Sequence, residues 1–175
     1  MRVACVLDSG FEDSEFQKPY DALRQAGHEV VVVGLQSGKE LKGYRGNVTT
    51  ASEASFDDVS PDEFDALLVP GGYSPDHLRA DSRAVDFTRA FAGSNRPIFA
   101  VCHGPQLLSA ADAIKGRRLT AWVTVQDDLR RMGENVVDEE VVVDGNLVTS
   151  RKPDDLDAFS REAARLLEKV PAPAS

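Results

Sequence analysis

Four short runs of consecutive apolar residues organise the chain, at Arg2–Leu7, Glu29–Val33, Ala66–Val69 and Ile98–Val101. Their length and β-branched content predict strands buried on both faces, the mark of a parallel sheet between two layers of helices. Helical periodicity predicts helices over 11–25, between the third strand and Phe91, over 104–113 and over 153–169. In the last of these, Ala158, Phe159, Ala163, Leu166 and Leu167 share one face. Pro19 falls inside the first pattern and costs a backbone hydrogen bond there. The main helix is therefore expected to start near Pro19, after a short turn over Glu12–Lys18. Val48–Thr50 reads as a small edge strand, with Gly43 and Gly46 as turn residues. Val141–Val143 and Leu147–Thr149 flank Asp144-Gly145-Asn146, a hairpin signal. One domain over 1–170 and a flexible tail over 171–175 are expected.

Composition narrows the function classes. At 175 residues the chain is long enough to bury a core without disulfides or metals. A net charge of −9 argues against nucleic acid and anionic membrane surfaces as partners. The apolar run near Met1 is too short for a signal peptide, and no stretch approaches the roughly 18 apolar residues of a membrane span. Cys5 and Cys102 make no disulfide framework, so a reduced, cytoplasmic setting is expected.

In an open parallel sheet, ligands sit beyond the carboxyl ends of the strands. The first strand delivers Asp8, Ser9, Gly10 and Glu12 to that rim. The third delivers Gly71, Gly72 and then Asp76-His77, and the fourth delivers Cys102-His103-Gly104. Cys102 between an apolar strand and a helix start follows the elbow logic of serine hydrolases, with a thiol as nucleophile. Helix N-terminal amides would favour the thiolate, so a lowered thiol pKa is expected. The amides of Gly71, Gly72 and His103 could form an oxyanion hole, although a tight turn explains the glycines equally well. Glu12, held beside Cys102 in an apolar rim, would gain a raised pKa and donate a hydrogen bond to sulfur. Asp76 and His77 could orient His103, or form an ordinary exposed pair. Cys5, inside the first strand, reads as a core residue. No cluster has metal-ligand spacing, and neither a dinucleotide fingerprint nor a phosphate-binding loop is present, so no metal and no cofactor is expected.

Six segments together resemble the PfpI family, the intracellular protease I-like group of the class-I glutamine-amidotransferase-like superfamily. They are Gly10–Phe16, Glu63–Gly72, Ala100–Gln106, Lys115–Arg117, Glu140–Gly145 and Thr149–Arg151. The resemblance implies a flavodoxin-like three-layer α/β sandwich that assembles as a dimer or a larger oligomer. It implies Cys102 as nucleophile with His103 after it, and Glu12 as the carboxyl group that contacts the thiol. Asp76 falls where archaeal members carry a glutamate that reaches histidine across a subunit interface, and aspartate is one methylene shorter. Trp122 stands where some relatives have tyrosine, and Arg151 follows a strand end without a decided role. Such proteins are described as peptidases, as glyoxalases or deglycases, and as stress-protective proteins. A compact domain has few residues left to build a groove for an extended chain, so a peptidase site would lie between subunits. A small pocket with a nucleophilic thiol suits small reactive carbonyls or their adducts on protein side chains. A sensor or scavenger that works through oxidation of Cys102 is a further alternative. Glutamine amidotransfer is disfavoured because no histidine follows His103.

Overall fold

The structure is a computed structural model that describes residues 1–172. Residues 173–175 of the expected tail lie outside the described residues. The strands are β1 (Arg2–Val6), β2 (Glu29–Gly34), β3 (Glu40–Lys42), β4 (Thr49–Ala51), β5 (Ala54–Ser55), β6 (Ala66–Val69), β7 (Ile98–Val101), β8 (Arg118–Leu119), β9 (Asn135–Val136), β10 (Val141–Asp144) and β11 (Leu147–Ser150). The helices are α1 (Asp13–Gln25), α2 (Ser74–Arg79), α3 (Ser82–Ala92), α4 (Pro105–Ala110), α5 (Val123–Arg131) and α6 (Leu156–Glu168). Seven strands form the central sheet in the order β10-β11-β7-β6-β1-β2-β5, and only the outermost β10–β11 pair is antiparallel.

Alternation along the strands builds two cores. Val3, Cys5, Ala66, Leu68, Phe99 and Val101 face α1 and α6, where Phe16, Leu23, Phe159 and Ala163 meet them. Ala4, Val6, Leu67, Val69, Ile98 and Ala100 face the other layer, against Phe87, Phe91, Leu107 and Leu129. The result is a three-layer sandwich, with Cys5 fully buried in one core as expected. Phe99 is completely buried at the centre of the sheet. Phe99→Ala should lower unfolding free energy by about 3–5 kcal/mol, measured by denaturant titration.

Chain order reverses at β1: one half runs outward through β2, the other through β6 and β7. The crevice at this switch point collects the segments after β1, β6 and β7, where an α/β sheet binds ligands.

The start of α1 departs from expectation. The helix runs unbroken from Asp13 to Gln25 with Pro19 inside it, and Glu12 is its N-cap. Phe16, Pro19 and Leu23 are buried, and Phe16 packs against Phe11 with ring centroids 5.2 Å apart. Burial of this face offsets the one backbone bond that proline forgoes. Helix α5 and the short strands β3, β5, β8 and β9 have no counterpart among the elements expected from the residue pattern. Among the described residues, no helix is long and apolar enough to cross a membrane.

Candidate active site

Cys102 follows β7 directly, in a left-handed conformation with φ of 62°. Such a backbone costs a residue with a side chain about 1–2 kcal/mol, so surrounding structure must impose it. The clamp is visible on both sides. The Cys102 amide donates to Ser150 O at 3.0 Å, and its carbonyl accepts from the Trp122 amide at 2.9 Å. Gly104 does not carry the strained dihedral; its φ is −51°. It is glycine for space instead, because a Cβ there would lie 2.6 Å from Val69 O.

The carboxyl group beside the thiol is Glu15, not Glu12. Among the described residues, both Glu15 carboxyl oxygens are buried without a well-placed hydrogen-bond partner, and the polar groups they face are the Cys102 thiol and the Gly71 amide. Burial, followed by the nearby Glu12 charge, pushes this carboxyl up to about 8, against weaker opposing pulls from Cys102, Gly71 and Arg45. Glu15 therefore holds a proton at neutral pH. Glu12 is fully engaged elsewhere. Its Oε2 accepts from the Glu15 amide at 2.9 Å and the Ser14 hydroxyl at 2.5 Å, and its Oε1 accepts from Arg45 Nε at 2.9 Å. As N-cap it lines the same cavity without being the thiol's partner.

The lowered thiol pKa expected from helix amides does not emerge. Burial pushes the Cys102 thiol up, the Glu15 charge adds to this, and the His103 amide pulls weakly down. Helix α4 has only six residues, and its few amides do not outweigh desolvation. The Glu15 repulsion exists only when Glu15 is ionised. With Glu15 protonated, the pair shares its proton as one unit.

His103 Nδ1 lies 3.4 Å from Cys102 Sγ. Burial lowers its pKa, against an opposing influence from Asp76, so the imidazole is neutral and able to accept a proton. Asp76 lines the cavity, but its hydrogen bonds go to Arg79 at 2.7–2.8 Å. His77 is turned to Asp8 Oδ2 at 3.3 Å and Ser9 O at 3.1 Å, away from His103. Gly72 lines the cavity with φ of 77°, whereas the Gly71 amide faces Glu15. A Cβ on Gly71 would collide with Glu15 and the Cys102 side chain, so glycine there lets thiol and carboxyl meet.

These groups open into a cavity of about 470 Å³, closed by Tyr44, Arg45, Tyr73, Gln106, Trp122 and Pro153. Tyr44 and Tyr73 meet edge to face at 5.8 Å, and the Arg45 guanidinium lies 5.2 Å from the centre of the Tyr44 ring. Of the rim residues only Trp122 stood out in the sequence; Tyr44 and Arg45 arrive from the distant β3–β4 turn, whose glycines mark a turn but not its place at the cavity. Arg151 is a structural clasp, bonded to Asp155 at 3.0 Å and Asp138 at 3.1 Å.

Residues 1–166 match the DJ-1/PfpI family. The chain belongs to that family. It is 54% identical over 167 residues to Protein/nucleic acid deglycase 2 of Escherichia coli, covering 95% of this chain and 97% of the relative. It is 51% identical over 169 residues to General stress protein 18 of Bacillus subtilis, covering 96% and 98%. Among solved structures it resembles a two-domain Anabaena variabilis protein with a DJ-1/ThiJ/PfpI-like and a ferritin-like domain. The TM-score is 0.92 at 37% identity, over 95% of this chain and 48% of that one. The chain thus spans about half of that protein.

Proposed function

We propose that this DJ-1/PfpI protein is a cysteine-dependent stress-protection enzyme that acts on small reactive carbonyls and their adducts on protein side chains. The observation that carries this reading is the juxtaposition of Cys102, a proton-bearing Glu15 and a neutral His103 at one cavity. The similarity to a deglycase and to a general stress protein supports it.

The geometry suits nucleophilic attack on an α-oxoaldehyde. Sulfur bonds to the aldehyde carbon as the thiol proton passes to His103 Nδ1, and His103 returns it to the carbonyl oxygen, leaving a hemithioacetal. Protonated Glu15 stabilises charge that develops on sulfur, and the amides of Gly72 and His103 serve the oxyanion. The proton on the former aldehyde carbon then moves to the adjacent carbonyl carbon, while the hemithioacetal hydroxyl proton moves to that carbonyl's oxygen, and a thioester results. Water then releases a 2-hydroxy acid and restores the thiol. On an amine adduct, sulfur displaces the amine nitrogen from the carbinolamine carbon, and the free amine leaves with a proton. Asp76 tunes His103 through its charge. The chain would work as a dimer or larger oligomer in the cytoplasm, and its acidity favours protein-borne over polynucleotide substrates.

Incubation with methylglyoxal, and separately with a methylglyoxal-modified peptide, tests this reading. The expected product is lactate in both cases, with unmodified peptide restored in the second. Peptide-bond cleavage instead would favour the peptidase alternative. Oxidation of the Cys102 thiol by peroxide, with no carbonyl turnover, would favour the oxidation sensor.

A further inference from the structure

Among the described residues, the β3 and β4 strands pair only with each other, three residues on each side. So short a hairpin has little stability of its own. Yet its turn carries Tyr44 and Arg45 to the cavity mouth. Backbone bonds tie the start of the turn to the body, the Gly10 amide donating to Lys42 O at 2.8 Å and the Tyr44 amide to Phe11 O at 2.9 Å. The stretch from Arg45 to Val48 is anchored by Asp13, a buried residue at the first position of α1. Its Oδ1 accepts from the Arg45 amide at 3.0 Å, and its Oδ2 accepts from the Asn47 and Val48 amides, both at 2.8 Å. The turn closes around this carboxylate: the Gly43 amide donates to Val48 O at 2.9 Å and the Gly46 amide to Gly43 O at 2.9 Å. A side chain at Gly43 would overlap the Asp13 carboxyl group. Burial alone would raise the pKa of Asp13, but the amides of Arg45, Val48 and Asn47 outweigh it and hold the group ionised. Neighbouring acids thus hold one residue at two points. Glu12 grips the side chain of Arg45, and Asp13 grips its backbone.

We propose that Asp13 is a positioning residue, whose carboxylate holds the 43–48 turn over the Cys102 cavity and so sets Tyr44 and Arg45 against the bound carbonyl substrate. The substrate part rests on the function proposed above; the roof over Cys102 does not. Asparagine at position 13 keeps the shape but turns one acceptor into a donor that faces an amide, so the turn must loosen.

The experiment compares two alkylating agents on Cys102, read by peptide mass spectrometry: iodoacetamide, which is small, and N-benzylmaleimide, which is bulky. Asp13→Asn should raise the bulky-to-small rate ratio by about tenfold, and raise KM for the modified peptide by about tenfold with kcat within about twofold. Gly43→Ala displaces the same carboxylate from the other side and should reproduce the effect if Asp13→Asn fails to fold. Asp58→Asn is the control for general loosening, since Asp58 caps a different turn by accepting from the Ser55 amide and hydroxyl at 2.9 and 2.8 Å. A ratio in both Asp13→Asn and Gly43→Ala no larger than in Asp58→Asn would overturn the positioning role. Absence of turnover in the unmodified protein would overturn the proposed function, while the alkylation ratio still decides the role of Asp13.

Discussion

Cys102→Ser is expected to lower carbonyl turnover by at least about a thousandfold while the fold stays intact. Cys102 is the sole thiol among the groups lining the cavity, and Cys5 lies fully buried in strand β1. Serine fits the same elbow, so unfolding free energy should move by no more than about 1 kcal/mol. Its hydroxyl is a far poorer nucleophile at neutral pH, even with His103 adjacent. Lactate release, paired with a thermal unfolding curve of the same sample, checks both halves of the expectation. Retained turnover would move the chemistry to another residue.

Glu15→Gln is expected to lower kcat by about a hundredfold and, at the same time, to stabilise the protein in mild alkali. The two effects share a cause. The folded-state carboxyl ionises near 8 instead of its ordinary 4.5. Between those values the native state holds a proton that the unfolded state has lost, so stability falls as pH rises through this window. Above pH 8 the buried carboxylate opposes folding by on the order of 4–5 kcal/mol, a burden an uncharged amide does not carry. Unfolding at pH 5 and pH 9 should therefore show a gain for Glu15→Gln at the higher pH and little gain at the lower. Glu12→Gln should behave in the opposite sense. It weakens a helix cap and releases Arg45, for a loss of about 1 kcal/mol, with a smaller effect on turnover.

The sheet was legible because its strands are short, wholly apolar and regularly followed by helices. The elbow was legible for the same reason: Cys102 stands where an apolar run ends and a helix begins. Glu15 was obscured by Pro19. Once the helix is divided at that proline, Glu15 belongs to a turn, and its place on a helix face is lost. In the unbroken helix Glu15 lies on the buried face with Phe16, Pro19 and Leu23. An acid on an apolar stripe is the signal that would have found it. Asp76 and His77 follow the third strand as adjacent candidates for His103, but α2 sends one to Arg79 and the other to Asp8. Tyr44 and Arg45 depend on tertiary placement of a two-stranded hairpin, which no local pattern encodes.

Carboxyl 13C NMR of the glutamate-labelled protein decides whether Glu15 keeps a proton beside the Cys102 thiol at neutral pH. One glutamate resonance should titrate near 8, disappear in Glu15→Gln and shift its midpoint in Cys102→Ser. If every glutamate titrates in the ordinary range around 4.5, Glu15 is ionised at neutral pH and the shared-proton account of the thiol fails.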